Sequence, residues 1–333
     1  MRILAVTNMY PTPHAPASGV FVEQQIKGLK QIGLEVDIIF IDRTQKGMGA
    51  YLGLRRHLRA KIAHFRPDIV HVMYGGVMAD QVTQAVYNSP TVVTFHGSDL
   101  LGEHLSGAIR KLLASYGVWA SWRAARRATG IVVVSKILQD TLPKDVVPSK
   151  TRLIPCGIDL DRFKPLDRDV CRSSLGWSSE YFHVLFPTNT GDPVKRPGLA
   201  RATVEAGNRL GIHAEMHQLQ NVPNHQVPVW LNASDVVLLT SLHEGSPTII
   251  KEALACNVPV VSVDVGDVCE HIKGIEGCYL ALPDPEDLAD KLLLVYTGSR
   301  RVEGRSNIQK FSLERIALRL KEFYGEVVAG FSG

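Results

Sequence analysis

The sequence predicts an α/β protein made of two doubly wound, parallel sheets. Short apolar runs rich in β-branched residues alternate with amphipathic helical patterns from one end of the chain to the other. Strands that are apolar on both faces are typical of buried parallel sheets. The length of 333 residues exceeds that of most single cores. A segment rich in Pro, Gly and Asp near residues 155–168 interrupts the pattern and predicts a domain boundary.

Each half of the chain contains several predicted strands separated by helices. In the first half the strands are Ile3–Thr7, Glu35–Ile41, Ile69–Met73, Thr91–Phe95 and Ile131–Val134, with helical patterns such as Val20–Gln31 and Tyr51–Phe65 between them. In the second half the strands are His183–Phe186, His213–His217, Val236–Thr240 and Pro259–Val263. Right-handed crossovers then give two Rossmann-like domains, residues 1–160 and 161–312, which bind ligands at the carboxyl ends of their strands.

Composition and charge exclude several classes of protein. No apolar run approaches the ~18 residues of a membrane span, and the N-terminal residues do not resemble a signal peptide, so we expect the protein in the cytosol. Residues 1–165 carry 21 Lys and Arg against 12 Asp and Glu, whereas residues 166–333 carry 16 against 21. The basic first half favours an anionic surface or substrate.

Metal sites and disulfides are not predicted. The five cysteines form no CxxC pair, and His225, His243 and His271 show no metal-ligand spacing. Reduced, buried thiols and no structural metal are therefore the expectation.

The most informative stretch is LHEGSPTIIKEALACNVPVV, Leu242 to Val261, which follows a predicted buried strand. Ser246 followed by Pro247 predicts a helix N-cap and first helical residue, and the helix runs to about Cys256, with Asn257 in the left-handed cap conformation. The amides of Thr248 and Ile249, at the positive end of the helix dipole, then form an anion site suited to a diphosphate. Glu244 and Glu252, on either side of the turn, are suited to accept hydrogen bonds from the hydroxyls of a sugar and a ribose.

This stretch and its continuation, EGSPTIIKEALACNVPVVSVDVGDVCEHI, resemble the signature of retaining GT-B glycosyltransferases of family 4. The resemblance implies that Glu244 and Gly245 lie beside the donor sugar, that Glu252 binds the ribose, and that residues 313–333 form a helix crossing back toward the N-terminal domain. Glu270 matches the acid of the family's GGxxE turn. Only one of the two glycines of that turn is present, Gly266, because Asp267 occupies the second position.

The loop FPTNTGDPVKRPGLARA resembles the family segment whose Arg and Lys neutralise the donor diphosphate. Lys195 matches the Lys. Thr188 and Asn189 stand where the family has Gly-Arg, and Arg196 is a candidate substitute for the missing Arg. The backbone near residues 218–222 resembles the pocket for the nucleotide base.

The first half offers fewer matches. HGSDL after the Thr91–Phe95 strand resembles the family's HGxD stretch, which implies that His96 contacts the donor sugar; Asp99 either joins it or caps the following helix. Gly19 opens the helix Val20–Gln31 in a loop that the family places near the donor phosphate. Ser135 ends a strand at another family landmark.

Two basic helices, residues 51–66 and 109–127, combine Arg and Lys with apolar residues, and the second carries Trp119 and Trp122. This pattern favours an anionic membrane surface or a lipid-linked acceptor, although two solvated faces over buried tryptophans are equally compatible with it. No nucleic-acid-binding module is present.

The resemblance implies a metal-independent, retaining glycosyltransferase without a cofactor. It would move a sugar from a UDP- or GDP-sugar to a glycan or lipid-linked acceptor, with Glu244, His96 and Lys195 as catalytic residues. Two alternative functions make different demands on the sequence. A dinucleotide-dependent oxidoreductase needs a GxGxxG turn, which the first strand–helix loop lacks. A non-catalytic GT-B subunit that binds a glycan or a partner stays open because of Asp267 and the altered diphosphate loop.

Overall fold

The computed structural model describes residues 1–43, 47–86, 88–102, 107–188 and 193–331. The chain divides into two compact units. The first unit contains Met1–Thr12, Ser18–Gly157 and Leu313–Gly333, and the second contains Pro13–Ala17 and Ile158–Ser312. The break between Gly157 and Ile158 falls within the segment near residues 155–168 that the sequence marks as a boundary.

The first unit is built around a six-stranded parallel sheet with the strand order β2-β1-β3-β4-β5-β6. Its elements are β1 (Arg2–Thr7), α1 (Val20–Gln31), β2 (Glu35–Phe40), α2 (Leu54–Phe65), β3 (Ile69–Val72), α3 (Gly76–Ala85), β4 (Thr91–Phe95), α4 (Ser98–Leu101), α5 (Ala108–Arg127), β5 (Gly130–Val133), α6 (Lys136–Thr141) and β6 (Thr151–Leu153). The strands β3, β4 and β5 are buried along their whole length, as expected for a parallel sheet covered by helices on both faces.

The second unit contains a five-stranded parallel sheet with the order β11-β10-β9-β7-β8. Its elements are α7 (Arg168–Leu175), β7 (Phe182–Phe186), α8 (Pro197–Arg209), β8 (Ala214–Gln218), α9 (Val227–Ala233), β9 (Val236–Leu239), α10 (Thr248–Ala255), β10 (Val260–Val263), α11 (Val268–Ile272), β11 (Tyr279–Ala281), α12 (Pro285–Thr297) and α13 (Arg305–Ile308). The two doubly wound parallel sheets predicted from the sequence are confirmed.

The last helix, α14 (Leu313–Ala329), belongs to the first unit and packs against α1. Two glycines allow this close approach. A Cβ on Gly28 would lie 3.0 Å from the carbonyl oxygen of Leu313, and one on Gly130 would lie 2.6 Å from Cγ2 of Val327. A side chain at Gly28 would push α14 away from α1, and one at Gly130 would push it away from β5.

A buried hydrogen-bond chain fixes α14 to the sheet. The hydroxyl of Tyr324 lies 2.6 Å from Nδ1 of His71 on β3, and Nε2 of His71 lies 2.7 Å from Oγ1 of Thr94 on β4. Burial lowers the pKa of His71 to about 3, so the ring is neutral and can accept with one nitrogen while it donates with the other. All three side chains are fully buried.

We expect Tyr324→Phe to lower the free energy of unfolding by about 1–3 kcal/mol, because it leaves a ring nitrogen of His71 buried without its partner. Urea denaturation measures the change. Tyr181→Phe is the matched control, since Tyr181 is 45% exposed, and it should be close to neutral. Equal effects of the two substitutions would contradict a stabilising role for the His71 contact.

Candidate active site

In the second unit, the two loops predicted to bind the donor meet at the carboxyl ends of neighbouring strands. β7 and β9 pair directly in parallel. The chain leaving β7 reaches a short 3-10 turn that ends at Lys195, and the chain leaving β9 reaches Glu244. Nζ of Lys195 lies 2.6 Å from Oε1 of Glu244, and the two side chains are 21% and 14% exposed. The predicted cation and the predicted sugar-side acid therefore form an ion pair at the sheet edge.

Glu244 has a second partner on its own loop. The hydroxyl of Ser241 donates to Oε1 of Glu244 at 2.6 Å, so one carboxylate oxygen receives both the ammonium and the hydroxyl. Held in this way, the carboxylate has a fixed orientation before any ligand binds, which lowers the cost of positioning a substrate. Ser241 carries no motif signal and was missed from the sequence.

Arg196 binds backbone in this structure. It adopts a left-handed conformation with φ of 51° directly before α8. Its guanidinium donates to the carbonyl oxygens of Thr240 and Ser241 at 2.5 and 3.0 Å, and burial lowers its pKa. In return the hydroxyl of Thr240 donates to the carbonyl of Lys195 at 2.7 Å. Arg196 thus clamps the two loops together, which is a positioning role. Asn189 lies outside the described residues.

The start of α10 differs from the prediction. The helix begins at Thr248 rather than Pro247, and Ser246 does not cap it. The first helical hydrogen bond runs from the amide of Ile250 to the carbonyl of Pro247, so the amides of Thr248 and Ile249 precede it at the positive end of the helix dipole. At the other end Asn257 has a φ of 57°, which confirms the left-handed cap.

Ser246 instead joins a buried charged cluster that we call the turn cluster: Ser246, Lys251, Asp267 and His271. The hydroxyl of Ser246 donates to Oδ2 of Asp267 at 2.6 Å and accepts from Nζ of Lys251 at 2.9 Å. Nε2 of His271 lies 3.0 Å from the same Asp267 oxygen. The hydroxyl is committed to these charges, which explains why it does not cap the helix.

The turn cluster explains the aspartate at position 267, where the family's GGxxE turn has a glycine. Lys251 is fully buried and Asp267 is 5% exposed, so each charge needs the other. Burial alone would raise the pKa of Asp267, but contacts with His271, Lys251 and Ser246 hold it below its usual range. The neighbouring Gly266, with a φ of 59°, approaches the opposite loop so closely that a Cβ would lie 3.0 Å from the carbonyl oxygen of Gly245. Two features of the sequence could have pointed to this cluster. One is a lysine within the apolar run IIKEALA, and the other is the four-residue spacing of Asp267 and His271.

The two remaining acids of the motif differ sharply in environment. Glu252 is 6% exposed, and burial raises its pKa to about 7 against the opposing charges of Lys251 and Arg162. A carboxyl group whose pKa is close to neutral pH can either donate or accept a hydrogen bond. Either form can pair with a ribose hydroxyl. Glu270 is exposed on α11.

In the first unit, Asp99 holds two loops in place. Its carboxylate accepts hydrogen bonds from the amides of Gly75, His96 and Gly97 at 2.8–3.1 Å. The carboxyl group is buried, which raises its pKa although these bonds oppose the shift. The expectation that Asp99 caps the following helix is wrong, because Asp99 lies within α4, whose N-cap is Gly97 without a side-chain cap bond. Asp99 instead joins the end of β3 to the end of β4.

His96 sits on this Asp99-bound loop among aromatic rings. Its ring lies 4.3 Å from that of Phe21 and stacks 6.1 Å from that of Tyr74. Its Nδ1 lies 3.5 Å from Sγ of Cys156. The ring orientation is therefore set by packing and by the loop beneath it.

The other two predicted residues of the first unit lie directly before helices. Gly19 adopts a φ of 65°, and a Cβ there would lie 2.3 Å from the carbonyl carbon of Met9, so only glycine allows the loop after β1 to cross the start of α1. Ser135 precedes α6 and is 2% exposed, without a side-chain cap bond.

α5 exposes an apolar stripe along one face. Its members, at helical spacings of three and four, are Ile109, Leu112, Leu113, Tyr116 and Trp119, which are 77%, 71%, 59%, 46% and 45% exposed. Arg110 and Lys111 are exposed beside them. Trp122 packs against the core, as the alternative interpretation expected. We call this surface the α5 stripe. Among the described residues, no helix is both long and apolar enough to cross a membrane.

Two protein-family models match the chain. The model described as Glycosyltransferase Family 4 matches residues 18–162, and the model described as Glycosyl transferases group 1 matches residues 190–297. TuaC of Bacillus subtilis (strain 168), a glycosyltransferase named for teichuronic acid biosynthesis, is 27% identical over 80% of this chain and 82% of its own length. A D-inositol 3-phosphate glycosyltransferase of Saccharomonospora viridis is 27% identical over 62% of this chain and 57% of its own length.

Solved structures share the whole fold. Sucrose-phosphate synthase from Thermosynechococcus elongatus matches with a TM-score of 0.81 at 18% identity, covering 99% of this chain and all of its own. Anabaena HepE in complex with UDP-glucose matches with a TM-score of 0.68 at 17% identity, covering 98% of this chain and all of its own. At these identities the likeness is one of fold alone.

The raised pKa of Glu252 predicts a pH dependence of stability. Between its ordinary value of 4.5 and about 7, the folded protein binds this proton more tightly than the unfolded chain. The free energy of unfolding should therefore fall as pH rises through that window and level off above it. We expect Glu252→Gln to remove this slope and to raise stability at pH 8 by up to about 3 kcal/mol.

Urea denaturation from pH 4.5 to 8 measures the slope. Glu205→Gln, an exposed glutamate on α8, is the matched control and should keep the wild-type slope. Indistinguishable slopes for Glu252→Gln and the wild type would show that folding does not raise the pKa of Glu252.

Proposed function

Because this chain belongs to the glycosyltransferases of family 4, we propose that it is a retaining enzyme. It transfers a sugar from a nucleotide-diphospho-sugar to a glycan or lipid-linked acceptor in polysaccharide biosynthesis. The observation that carries this proposal is the Lys195–Glu244 ion pair beside the N-terminus of α10. The cation and the carboxylate pair at the carboxyl ends of two adjacent strands, where such sheets bind nucleotides, and α10 begins four residues after Glu244 in the sequence.

The diphosphate is assigned to Lys195 and the first turn of α10. As the bond between the sugar and the diphosphate breaks, negative charge develops on the leaving oxygen. A preorganised ammonium and a helix N-terminus stabilise that charge, and removing one such group typically costs about 100- to 1000-fold in kcat. Glu244 already holds the Lys195 ammonium in a partly buried position, so donor binding has less water to remove from it.

Glu244 is assigned to the sugar. Its carboxylate accepts from the sugar hydroxyls while Lys195 turns toward phosphate, so donor binding exchanges one ion pair for two ligand contacts. In this scheme Glu244 orients the donor and does not form a covalent intermediate. Neither metal ion nor cofactor takes part in the step. The contact of His96 with the sugar stays a prediction.

The choice of a nucleotide-sugar donor has support from fold relatives. HepE is described in complex with UDP and with UDP-glucose. Glu252 follows the diphosphate-binding turn and is placed to accept from, or donate to, a ribose hydroxyl. UDP conjugates are therefore the first donors to test, with GDP conjugates beside them.

We expect UDP-sugar or GDP-sugar to raise the melting temperature by mass action and to release nucleotide diphosphate when acceptor is supplied.

Lys195→Met should lower kcat by about 100-fold or more with a smaller effect on KM, because its charge matters most as the bond breaks. Glu244→Gln should weaken binding of the sugar conjugate more than binding of the free nucleotide. Arg201→Met, on α8, is a control for loss of positive charge.

Two outcomes would overturn the proposal. One is release of nucleotide diphosphate that is unchanged by Lys195→Met. The other is donor binding without turnover on any glycan or lipid-linked acceptor, which would favour a non-catalytic subunit that binds nucleotide sugars.

We further propose that the enzyme works at an anionic membrane surface, bound through the α5 stripe. Apolar side chains enter the lipid–water boundary while Arg110 and Lys111 meet lipid phosphates. By contrast, the basic residues at the other end of α5 are held in ion pairs: Arg123 and Arg127 with Asp80, and Arg126 with Asp145. The membrane-facing end is thus the N-terminal half of the helix.

Cosedimentation with vesicles tests this surface. The protein should bind phosphatidylglycerol vesicles and bind phosphatidylcholine vesicles weakly, and the double variant Leu112→Gln/Leu113→Gln should lose about tenfold or more in binding because each leucine contributes apolar area. Leu318→Gln, 48% exposed on α14, should bind as the wild type does. Equal binding by the double variant, or none by the wild type, would refute a membrane role for the α5 stripe.

A further inference from the structure

Three potential metal ligands that the sequence interpretation overlooked converge on one face of the second unit's sheet. β7 and β8 pair in parallel with His183 opposite Glu215 and Leu185 opposite His217. Side chains alternate between the two faces of a strand, so Glu215 and His217 share a face of the sheet. His183 lies opposite Glu215 and projects from the same face. The prediction of no structural metal rests on the spacing of the cysteines and of His225, His243 and His271, and does not include these three residues.

The three groups lie within ligand distance of one another. Nδ1 of His183 is 2.8 Å from Nε2 of His217. Oε2 of Glu215 is 3.9 Å from the first nitrogen and 3.8 Å from the second. Tetrahedral ligands at zinc distances stand about 3.3 Å apart, so movements of about half an ångström bring all three to those positions.

The hydrogen bonds determine which ring nitrogens are available. Nε2 of His183 lies 2.7 Å from the carbonyl oxygen of Ser178. A carbonyl only accepts, so this nitrogen carries the proton and Nδ1 presents a lone pair toward His217. A backbone carbonyl that orients the far side of an imidazole is the usual support of a metal-bound histidine.

The surroundings hold one ring in place and leave a route for an ion. The ring of Trp177 stacks 3.5 Å from that of His217 and holds it flat. Glu215 is 49% exposed and opens the cluster to solvent. The nearby guanidinium of Arg172 is paired with Asp235 at 2.6 Å.

We propose that His183, Glu215 and His217 form a zinc site. Nδ1 of His183, Nε2 of His217 and one carboxylate oxygen of Glu215 bind Zn²⁺, and water takes the fourth position. Two imidazoles and a carboxylate form a common ligand set for zinc. On binding, His217 moves its proton from Nε2 to Nδ1, and the N–H···N bond between the rings gives way to two metal bonds.

We assign this zinc to stabilisation of the sheet edge, with the bound water on the side that Glu215 opens to solvent. β8 is the edge strand of the sheet, and the ion ties it to β7 through side chains in addition to the backbone ladder. At the start of the segment that follows β8, the backbone amide of Leu219 donates a hydrogen bond to the carbonyl oxygen of Phe186. Zinc therefore stabilises the strand end that leads into the predicted base pocket, and it takes no part in bond breaking.

Equilibrium dialysis of the whole protein against Zn²⁺, followed by elemental analysis, is the direct test. We expect one bound zinc per chain, and a rise in melting temperature with zinc that EDTA reverses. His217→Ala and Glu215→Gln should weaken binding by about tenfold or more, whereas His225→Ala, an exposed histidine of the same unit, should bind as the wild type does. Quenching of Trp177 fluorescence by Cu²⁺, lost in His217→Ala, is a second readout.

Glu215→Gln guards against misfolding as an explanation, because its side chain is half exposed. Zinc binding that is absent from the wild type, or that survives both His217→Ala and Glu215→Gln, would overturn the assignment. The test is independent of the proposed transferase activity, since it needs neither donor nor acceptor.

Discussion

The direct parallel pairing of β7 with β9 is the constraint on which the candidate active site depends. Parallel strands deliver their carboxyl ends to one edge, so the loops carrying Lys195 and Glu244 are neighbours although 49 residues separate them. The loops then lock each other through the guanidinium of Arg196 and the hydroxyl of Thr240. The strand order therefore brings Lys195 and Glu244 together at the sheet edge. They form an ion pair with fixed geometry before a substrate arrives.

Both units contain polar groups that are buried and are held in place by specific contacts. Asp99 in the first unit and the turn cluster in the second bury charges or acids, and contacts with backbone amides or opposite charges offset the cost of burial. Buried charges of this kind contribute little net stability but tolerate few alternative arrangements. They keep the loops beside His96 and Glu244 in single conformations, which is what an electrostatic site requires.

The sequence predicted the sheets and the position of the turn between Glu244 and Glu252 well, since buried strands and a proline beside a helix start leave strong local patterns. It failed where long-range contacts decide. β6 and β11 are three residues long and too short for periodicity to detect. Ser246 has the residue type of a cap, but a charge from α10 and another from the turn before α11 take its hydroxyl. The His183 cluster needs the register of two strands, which spacing along the chain does not contain.

The return of α14 to the first unit has a consequence for the order in which a ribosome-bound chain can mature. Residues 313–329 cover Gly130 and supply the hydroxyl that His71 requires, yet they are translated after the whole of Ile158–Ser312. The second unit, nearly continuous in sequence, can reach its native state while the first still waits with an open flank. Vectorial synthesis would therefore finish the later-encoded unit before the earlier one.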